Sequence, residues 1–334
     1  MQLSIIIVNY RSAKYILNCI QSALECNADN PFEWIIVDNA SGDDSRALIT
    51  EKYPFVKWIN MNYNAGFARA NNEGICQSSG DVVLLLNPDT IVQKNALERC
   101  FNKFMTTNDV ACGVQLLNLD GTPQISGNFF MKGGINHLLA LPYWGNFLRS
   151  IAFAFHTKKP NVLQAGSDEK VDWISGAFLM VKKSAIENAG MMDEDFFLYA
   201  EEIEWCSRLK KVGSLSIYGD IKMIHLLGET IKDATDTDDK TYFNLFDKKG
   251  LQLLVSNHVR IRKQFGIFWF FVQLLNCSFG VFVFFVCSIL DHLIHLKNPF
   301  ADWKRIKGLT INMVEVWKLT PTILRNQPHF YKIL

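Results

Sequence analysis

The chain has 334 residues, 49% of them hydrophobic and 20% charged, which is enough to bury the core of one large domain or two smaller ones. Its formal net charge of +1 leaves no global basic field of the kind that gathers nucleic acid, so we expect no nucleic-acid partner. The 8 cysteines form no CxxC pair and no Cys/His cluster with zinc spacing, which favours free thiols in a reducing cytosol over a disulfide framework or a zinc site.

The N-terminal part of the chain alternates short apolar segments with segments of helical spacing. The apolar segments predict strands at 3–10, 34–38, 56–60 and 82–87, and the segments between them predict helices at 12–27, 43–53 and 66–77. The first segment lacks the basic region and the cleavage site of a signal peptide, so we interpret it as a buried strand. This order predicts an α/β fold with a mostly parallel sheet flanked by helices.

Polar, turn-forming residues follow each of these four predicted strands, at 9–10, 38–42, 62–67 and 87–89. In open α/β sheets, ligands bind beyond the carboxyl ends of the strands. Asparagine, aspartate and glycine also favour ordinary turns, so one end of this kind carries little information. Four such ends at one edge of one sheet predict a ligand site there.

The pattern changes beyond residue 110. Strands are predicted at 110–118, 173–181 and 215–226, and a helix at 200–212. Residues 127–170 are aromatic and weakly periodic, and we interpret them as an irregular, mobile segment that faces the substrate. The sequence has no glycine-rich phosphate loop, which argues against a nicotinamide dehydrogenase and a P-loop NTPase. It also has no GxSxG elbow.

Asp89 is the sharpest candidate for chemistry, because it follows the fourth predicted strand in an Asn-Pro-Asp turn. A carboxylate held there suits a hard divalent cation such as Mg²⁺ or Mn²⁺, which would bridge a diphosphate. A helix N-cap or a type I turn explains the same residue equally well. His225, near the end of the last predicted strand, is a second candidate metal ligand, although a lone histidine there is more often structural. Asp38 either accepts a hydrogen bond from a nucleotide base or caps its own turn.

Three carboxylates lie at the start of the predicted helix at 200–212, namely Glu201, Glu202 and Glu204. Glu201 and Glu204 share one helical face, whereas Glu202 points elsewhere. One carboxylate can act as the general base on an acceptor hydroxyl. The alternative is that they only complement the positive end of the helix dipole.

Taken together, the motifs resemble those of the inverting glycosyltransferase family 2, in its bacterial rhamnosyltransferase-like branch. The resemblance rests on motifs in a fixed order: SIIIVNY at 4–10, VDNAS at 37–41, NAGFA at 64–68 with Asn72 and Gly74, LNPD at 86–89, GAF at 176–178 and DEDFFLY at 193–199. Each motif is modest, but their order and spacing make the set specific over residues 3 to about 226.

The resemblance implies a GT-A fold, which is Rossmann-like, and a divalent cation as cofactor. On the donor side, it implies that the nucleotide base and ribose contact Val8, Tyr10 and Asp38. The metal ion would be bound by Asp89 and His225. Further contacts with the nucleotide sugar are expected at the motif positions Asn9, Asn64, Gly66, Asn72 and Asn87.

On the acceptor side, the resemblance implies a single displacement with inversion at the anomeric carbon. Glu202 matches the family's catalytic base. The family usually has Glu-Asp followed by x-Asp at this position, whereas this chain has Glu201-Glu202-Ile203-Glu204. Glutamate is one methylene longer and still accepts a proton, and Glu201 is the second candidate for the base.

The C-terminal part of the chain differs in kind. Residues 264–290 form an uncharged run of 27 residues that is long enough to cross a bilayer. Both flanks are basic, and residues 297–334 carry seven Lys or Arg against two Asp or Glu, a net charge of +5. Because the positive-inside rule keeps both flanks in the cytoplasm, a re-entrant hairpin around Gly280 or helices in the interface fit better than one crossing. A buried helix pair, in the core or in a dimer, is the alternative.

The sequence thus predicts a catalytic domain at 1–245, with a nucleotide-binding half at about 1–110 and an acceptor half at about 111–245, and a membrane-associated helical region at 246–334. The predicted reaction moves a sugar, with rhamnose from dTDP-rhamnose as a candidate, from a dTDP- or UDP-sugar to a glycan or lipid-linked acceptor at the cytoplasmic face of the plasma membrane, for cell-surface polysaccharide synthesis. Two alternatives remain: a sugar-nucleotide transferase or hydrolase that needs no acceptor sugar, and a non-catalytic membrane-bound scaffold that binds donor without turnover.

Overall fold

A computed structural model describes residues 2–26, 32–129, 141–155, 161–226 and 244–334. The chain divides into two units, which we call the sheet unit and the helical unit. The sheet unit comprises Met1–Phe129, Asn161–Glu194 and Glu201–Lys240, and the helical unit comprises Phe130–Pro160, Asp195–Ala200 and Thr241–Leu334.

The sheet unit holds twelve strands within the described residues. They are β1 Leu3–Asn9, β2 Glu33–Asp38, β3 Lys57–Asn60, β4 Val82–Leu86, β5 Thr90–Ile91, β6 Ala111–Leu117, β7 Gly127–Asn128, β8 Asn161–Val162, β9 Asp168–Val171, β10 Trp173–Ile174, β11 Phe178–Lys182 and β12 Leu215–His225. The larger sheet has the order β3-β2-β1-β4-β11-β6-β12-β5, with β9 beside β12, and the smaller sheet has the order β10-β7-β8. Strands β1 to β4 are mutually parallel and β11 runs against them.

Six helices of the sheet unit cover both faces of the larger sheet. They are α1 Ala13–Cys26, α2 Ser45–Lys52, α3 Gly66–Gln77, α4 Ala96–Thr106, α6 Lys183–Ala189 and α7 Glu201–Val212. Neighbouring side chains of β1 point into opposite cores, with Ile5 and Ile7 in one cluster and Ile6 in the other. Strands buried on both faces explain the continuous apolar runs of the sequence. The predicted sheet, mostly parallel and flanked by helices, is confirmed.

Three local predictions need correction. The segment at 173–181 is not one strand, because β10 joins the smaller sheet and β11 the larger one. Helices α4 and α6 were not predicted. Residues 127–170 are less irregular than expected, since they include β7, β8, β9 and the helix α5 Trp144–Ala154; residues 130–140 and 156–160 of this segment lie outside the described residues.

The helical unit contains α5 and two longer helices, α8 Lys248–Ile294 and α9 Trp303–Arg325. The indole nitrogen of Trp317 donates to the Ser278 hydroxyl at 3.0 Å, which ties α9 to α8. The predicted hairpin around Gly280 is wrong, because α8 continues through this residue. A Cβ at Gly280 would lie 2.7 Å from Leu141 Cδ1, so glycine is needed there for close packing. The backbone of α8 breaks instead at Gly266, where φ is +85°.

Candidate active site

The carboxyl ends of β1 and β2 form the first part of the candidate site. These strands are parallel and in register, so Asn9 lies opposite Asp38. The amide nitrogen of Asn9 donates to Asp38 Oδ1 at 2.7 Å and to Ser41 Oγ at 3.0 Å. Its amide oxygen accepts from both the backbone N–H and the hydroxyl of Ser12, at 3.1 and 3.0 Å. Asn9 is buried with its amide fully engaged, so it positions Asp38 through protein contacts.

Asp38 itself is half-buried, as are Val8 and Tyr10 on either side of Asn9. The Ser41 hydroxyl also donates to Asp38 Oδ1 at 2.5 Å. Ala40 and Gly42 have φ values of 59° and 66°, so two residues of the turn after β2 adopt left-handed backbone conformations. Asp38 therefore organises its own turn, and it lies at the carboxyl end of β2, the edge where ligands bind in open α/β sheets.

A second amide network joins the loops after β2 and β3. Asn39, which the sequence did not single out, donates to Asn64 Oδ1 at 3.0 Å and to the Gly66 carbonyl at 3.1 Å. Its oxygen accepts the Ala65 N–H at 2.8 Å. Gly66 has a φ of +76°, in the region that favours glycine, where α3 begins. Asn64 and Gly66 are thus brought to the same sheet edge as Asp38.

Asn72 is placed differently from the other predicted contacts. It lies within α3, and its amide hydrogen-bonds in both directions with the backbone of Met192, at 2.9 and 3.0 Å. Protein groups therefore occupy this amide, and Asn72 fixes the chain segment that precedes the carboxylate-rich helix.

Asp89 and His225 meet although 136 residues separate them in the chain. The short strand β5 pairs antiparallel with the end of β12, so Thr90 lies opposite His225. Asp89 Oδ1 lies 3.4 Å from His225 Nε2, and Asn87 Nδ2 is also 3.4 Å from that nitrogen. Asp89 and His225 are only 2% and 6% exposed. In the described part of the chain, Asp89 Oδ1 has no hydrogen-bond partner.

These residues fit a divalent cation. Burying a carboxylate oxygen costs free energy unless a hydrogen-bond donor or a cation compensates its charge. An imidazole nitrogen, His225 Nε2, faces this oxygen. Among the described residues no group of three or more His, Cys, Asp and Glu side chains converges. Two protein ligands suit Mg²⁺ or Mn²⁺ in sites where substrate phosphates supply the remaining oxygens.

The three carboxylates of α7 separate into different environments. Glu204 is paired with Arg208 at 2.7 Å, so it has a structural partner. Glu201 is 3% exposed and its Oε2 has no hydrogen-bond partner among described residues. Burial, together with the nearby charge of Glu202, raises the pKa of Glu201 well above its usual range.

Glu202 lies beside the segment that joins the two sheets. A Cβ on Gly176 would lie 3.6 Å from Glu202 Cγ and 3.7 Å from Phe67 Cε1. The next residue, Ala177, accepts a hydrogen bond from the Asn87 N–H at 3.0 Å. Glu202 thus lies near Gly176, and the residue after Gly176 is hydrogen-bonded to Asn87, which precedes Asp89 at the end of β4. The two residues before α7, Tyr199 and Ala200, both have positive φ, a strain that clusters at functional sites.

Part of the sequence matches the model of a known family. Residues 4–158 match the model of glycosyl transferase family 2. These residues are thus similar to a glycosyl transferase family 2 domain. The matched residues include Asp38 and Asp89 but end before α7 and β12, so the placement of Glu202 and His225 rests on the geometry described above.

Curated relatives of this chain carry names that refer to glycan synthesis. The low-salt glycan biosynthesis hexosyltransferase Agl10 of Haloferax volcanii is 30% identical over 63% of this chain, which spans 62% of that relative's length. The N-acetylglucosaminyl-diphospho-decaprenol L-rhamnosyltransferase of Mycobacterium tuberculosis is 26% identical over 65% of this chain and 73% of its own length. Rhamnosyltransferase WbbL of Escherichia coli is 25% identical over 63% of this chain and 77% of its own length.

Solved structures identify the fold of this chain as GT-A. The mannosyltransferase PcManGT from Pyrobaculum calidifontis, in complex with GDP-Man and Mn²⁺, is 13% identical and gives a TM-score of 0.54 over 96% of this chain and 87% of its own. GalNAc-T7 with UDP, GalNAc and Mn²⁺ is 12% identical and gives a TM-score of 0.50 over 67% of this chain and 43% of its own.

Proposed function

We propose that the protein is an inverting, metal-dependent glycosyltransferase that moves a sugar from a nucleotide-sugar donor to a hydroxyl of a glycan or lipid-linked glycan precursor. One observation carries the proposal: the buried Asp89 Oδ1, which has no hydrogen-bond partner among the described residues, faces His225 Nε2 at the sheet edge where Asp38 also lies. The match to family 2 and the names of the relatives support sugar transfer as the reaction. Two relatives are named rhamnosyltransferases, so dTDP-rhamnose is the first donor to test, followed by UDP-sugars.

Donor binding is assigned to the ends of β1, β2 and β4. Val8, Tyr10 and Asp38 would contact the base and ribose, and Asp89 with His225 would hold the cation. A cation bound there would neutralise charge on the diphosphate leaving group. The chain's own contribution is to bury the two ligands and hold the donor in one orientation.

Glu202 is assigned as the base that takes the proton from the acceptor hydroxyl. The other two carboxylates suit this role less. Glu204 is paired with Arg208, and Glu201 is buried away from solvent with a raised pKa. Glu202 lies beside Gly176, in contact distance of the segment that reaches Asn87.

Membrane contact is assigned to the helical unit. Within the described residues α8 is the one helix long and apolar enough to cross a bilayer. Large apolar side chains of this unit are exposed, including Phe268, Phe282, Leu296 and Trp317. The basic residues of 297–334 would bind anionic lipid. We propose peripheral or monotopic attachment at the cytoplasmic face of the plasma membrane, where a lipid-linked acceptor would be reached.

A transfer assay tests the function. Labelled dTDP-rhamnose and UDP-sugars are incubated with the full chain, Mn²⁺ and bacterial membranes as the acceptor source, and label is followed into the lipid-linked fraction. Asp89→Ala should abolish incorporation while folding is retained, whereas Asp44→Ala, an exposed carboxylate on the loop before α2, should not change it. Incorporation without any divalent metal would contradict the proposal. Nucleotide release without an acceptor would favour the hydrolase alternative, and donor binding without release would favour the scaffold.

A further inference from the structure

Gln124 is a buried residue that contacts His225 twice and that the proposed reaction does not yet use. It lies in the loop between β6 and β7 and is 8% exposed. Its amide nitrogen donates to the His225 carbonyl at 2.6 Å, to Asn118 Oδ1 at 2.7 Å and, more weakly, to the Leu117 carbonyl at 3.4 Å. Its amide oxygen lies 3.0 Å from His225 Nδ1.

The surroundings decide which way this amide faces. Backbone carbonyls only accept hydrogen bonds, so the atom of Gln124 that faces the His225 and Leu117 carbonyls must be the nitrogen. The oxygen must then face His225 Nδ1. An amide oxygen only accepts, and Nδ1 therefore carries the proton.

This arrangement fixes the other ring nitrogen. With the proton on Nδ1, neutral His225 has its lone pair on Nε2, the atom 3.4 Å from Asp89 Oδ1. Two acceptors then face each other in a buried place, which is unfavourable for the empty protein and favourable when a cation lies between them. A donor from Asn87 Nδ2 at 3.4 Å is compatible with the same lone pair.

We propose that Gln124 is a positioning residue that locks His225 in the Nδ1–H tautomer and so presents Nε2 to a divalent cation. The inference rests on the proposed function in that it uses the same Asp89–His225 pair. It adds a residue that is absent from the motifs quoted in the sequence analysis and a defined reason for it, since the partner that orients a metal-bound histidine contributes to metal affinity.

Two variants separate this role from simple support of the loop. Gln124→Met and Gln124→Glu both lose the amide donor to the His225 carbonyl and to Asn118. Only Gln124→Glu keeps an oxygen that can accept from His225 Nδ1. A comparison of the two therefore isolates the acceptor, and urea unfolding of each measures the structural cost that they share.

The first readout is the tautomer in the metal-free protein, measured by nitrogen-15 NMR of ring-labelled histidine, with His225→Gln to assign the signal. We expect a protonated Nδ1 and an unprotonated Nε2 in the wild type and in Gln124→Glu, and loss of this pattern in Gln124→Met. The same pattern in Gln124→Met as in the wild type would overturn the proposal.

The second readout is Mn²⁺ affinity, measured from the electron paramagnetic resonance signal of free Mn²⁺ during titration. Gln124→Met should bind Mn²⁺ about 10- to 100-fold more weakly than the wild type, and Gln124→Glu should restore most of the affinity. Equal losses in both variants would show a structural role only and overturn the proposal. Asp89→Ala serves as the reference: wild-type affinity in that variant would contradict the proposed function, whereas unchanged affinity in Gln124→Met alone would contradict only the role of Gln124.

Discussion

At the scale of residues, environment separates side chains that the sequence presents as equals. Glu201, Glu202 and Glu204 are neighbours in the chain, yet one is buried, one lies beside Gly176 and one is paired with arginine. Asn9 and Asp38 also differ in environment: the amide of Asn9 is buried and donates a hydrogen bond to the carboxylate of Asp38, which lies nearer the surface. Chemistry in such a site depends on which groups are left for a ligand after the protein has used the others.

Glu202→Gln should remove the base and keep the shape of the site. We expect kcat to fall by about 10²- to 10⁴-fold with little change in donor KM, since a positioned base acts on the transition state. Steady-state transfer kinetics check this. Glu187→Gln, an exposed carboxylate on α6, is the matched control and should keep wild-type kcat. A normal kcat in Glu202→Gln would assign the base elsewhere, with Glu201 next.

Glu201 should make stability depend on pH in a defined direction. Its folded-state pKa is raised, so between the unfolded and folded values the native state binds more protons than the unfolded chain. Stability is therefore lost as pH rises through the window above the usual glutamate value. Glu201→Gln removes this loss, so in urea unfolding the variant should gain stability relative to the wild type as pH rises above the usual glutamate pKa. A gain that shrinks with rising pH would contradict the assigned environment.

Asn9→Ala should destabilise the sheet edge beyond the loss of one contact. It leaves Asp38, Ser41 and the Ser12 backbone without the amide that joins them. We expect a loss of about 1–3 kcal/mol in the free energy of unfolding, the cost of buried groups left unsatisfied. Equilibrium urea unfolding measures it, and a loss no larger than that of an exposed asparagine such as Asn188→Ala would show that the network is not needed.

At the scale of elements, strand order brings the site together. Parallel strands β1, β2 and β4 place their carboxyl ends on one edge, and the pairing of β5 with β12 adds His225 to Asp89. Helix α3 closes this arrangement because Gly74 packs directly on β1 and β2. The positions of the proposed donor-side residues should therefore depend on how closely α3 approaches the sheet.

Gly74→Ala tests that close approach. The added Cβ would lie 2.5 Å from Ile6 Cγ2 and 3.2 Å from Val37 Cγ2, both in the core of the sheet. We expect the overpacking to cost about 1–3 kcal/mol of unfolding free energy, despite the better helix propensity of alanine. Cys76→Ala, an exposed position on the same helix, should stay within about 0.5 kcal/mol of the wild type. A Gly74→Ala protein as stable as the Cys76→Ala protein would show that α3 has room to move.

Periodicity and strand order were enough to predict the sheet, because parallel strands buried on both faces have continuous apolar runs. The separate environments of Glu201, Glu202 and Glu204 were beyond the sequence, since burial and pairing with Arg208 arise only on folding. Gln124 was missed for the same reason, as 101 residues separate it from His225. Helix α4 was missed although its pattern encodes it, because the buried residues Leu97, Cys100 and Phe104 recur at helical spacing. The short helix α6 and the break between β10 and β11 have no such local pattern.

At the scale of the whole molecule, the sheet unit carries the candidate site and the helical unit carries most of the exposed apolar side chains. The sequence already shows this division as a change from alternating elements to one long uncharged run followed by a basic tail. Apolar side chains exposed on helices beside basic residues are typical of proteins that bind the membrane interface.

Membrane binding should depend on both features. The full chain should float with vesicles that contain phosphatidylglycerol, bind phosphatidylcholine vesicles less, and lose part of its binding at high salt. The double variant Phe268→Ser and Phe282→Ser, at side chains 71% and 60% exposed, should bind more weakly. Phe55→Ser, at an exposed site of the sheet unit, should bind as the wild type does. Equal binding of all three proteins would contradict membrane binding through the helical unit.

We propose that Asp89 and His225 hold a cation for a nucleotide sugar. The most direct test is a thermal-shift panel on the detergent-purified full chain, with dTDP-, UDP- and GDP-sugars, each with and without Mn²⁺. One nucleotide class should stabilise the wild type by about 2.7 kcal/mol at about a hundred times its dissociation constant, only with Mn²⁺, and not stabilise Asp89→Ala. No shift with any donor, or an equal shift in Asp89→Ala, would contradict the account.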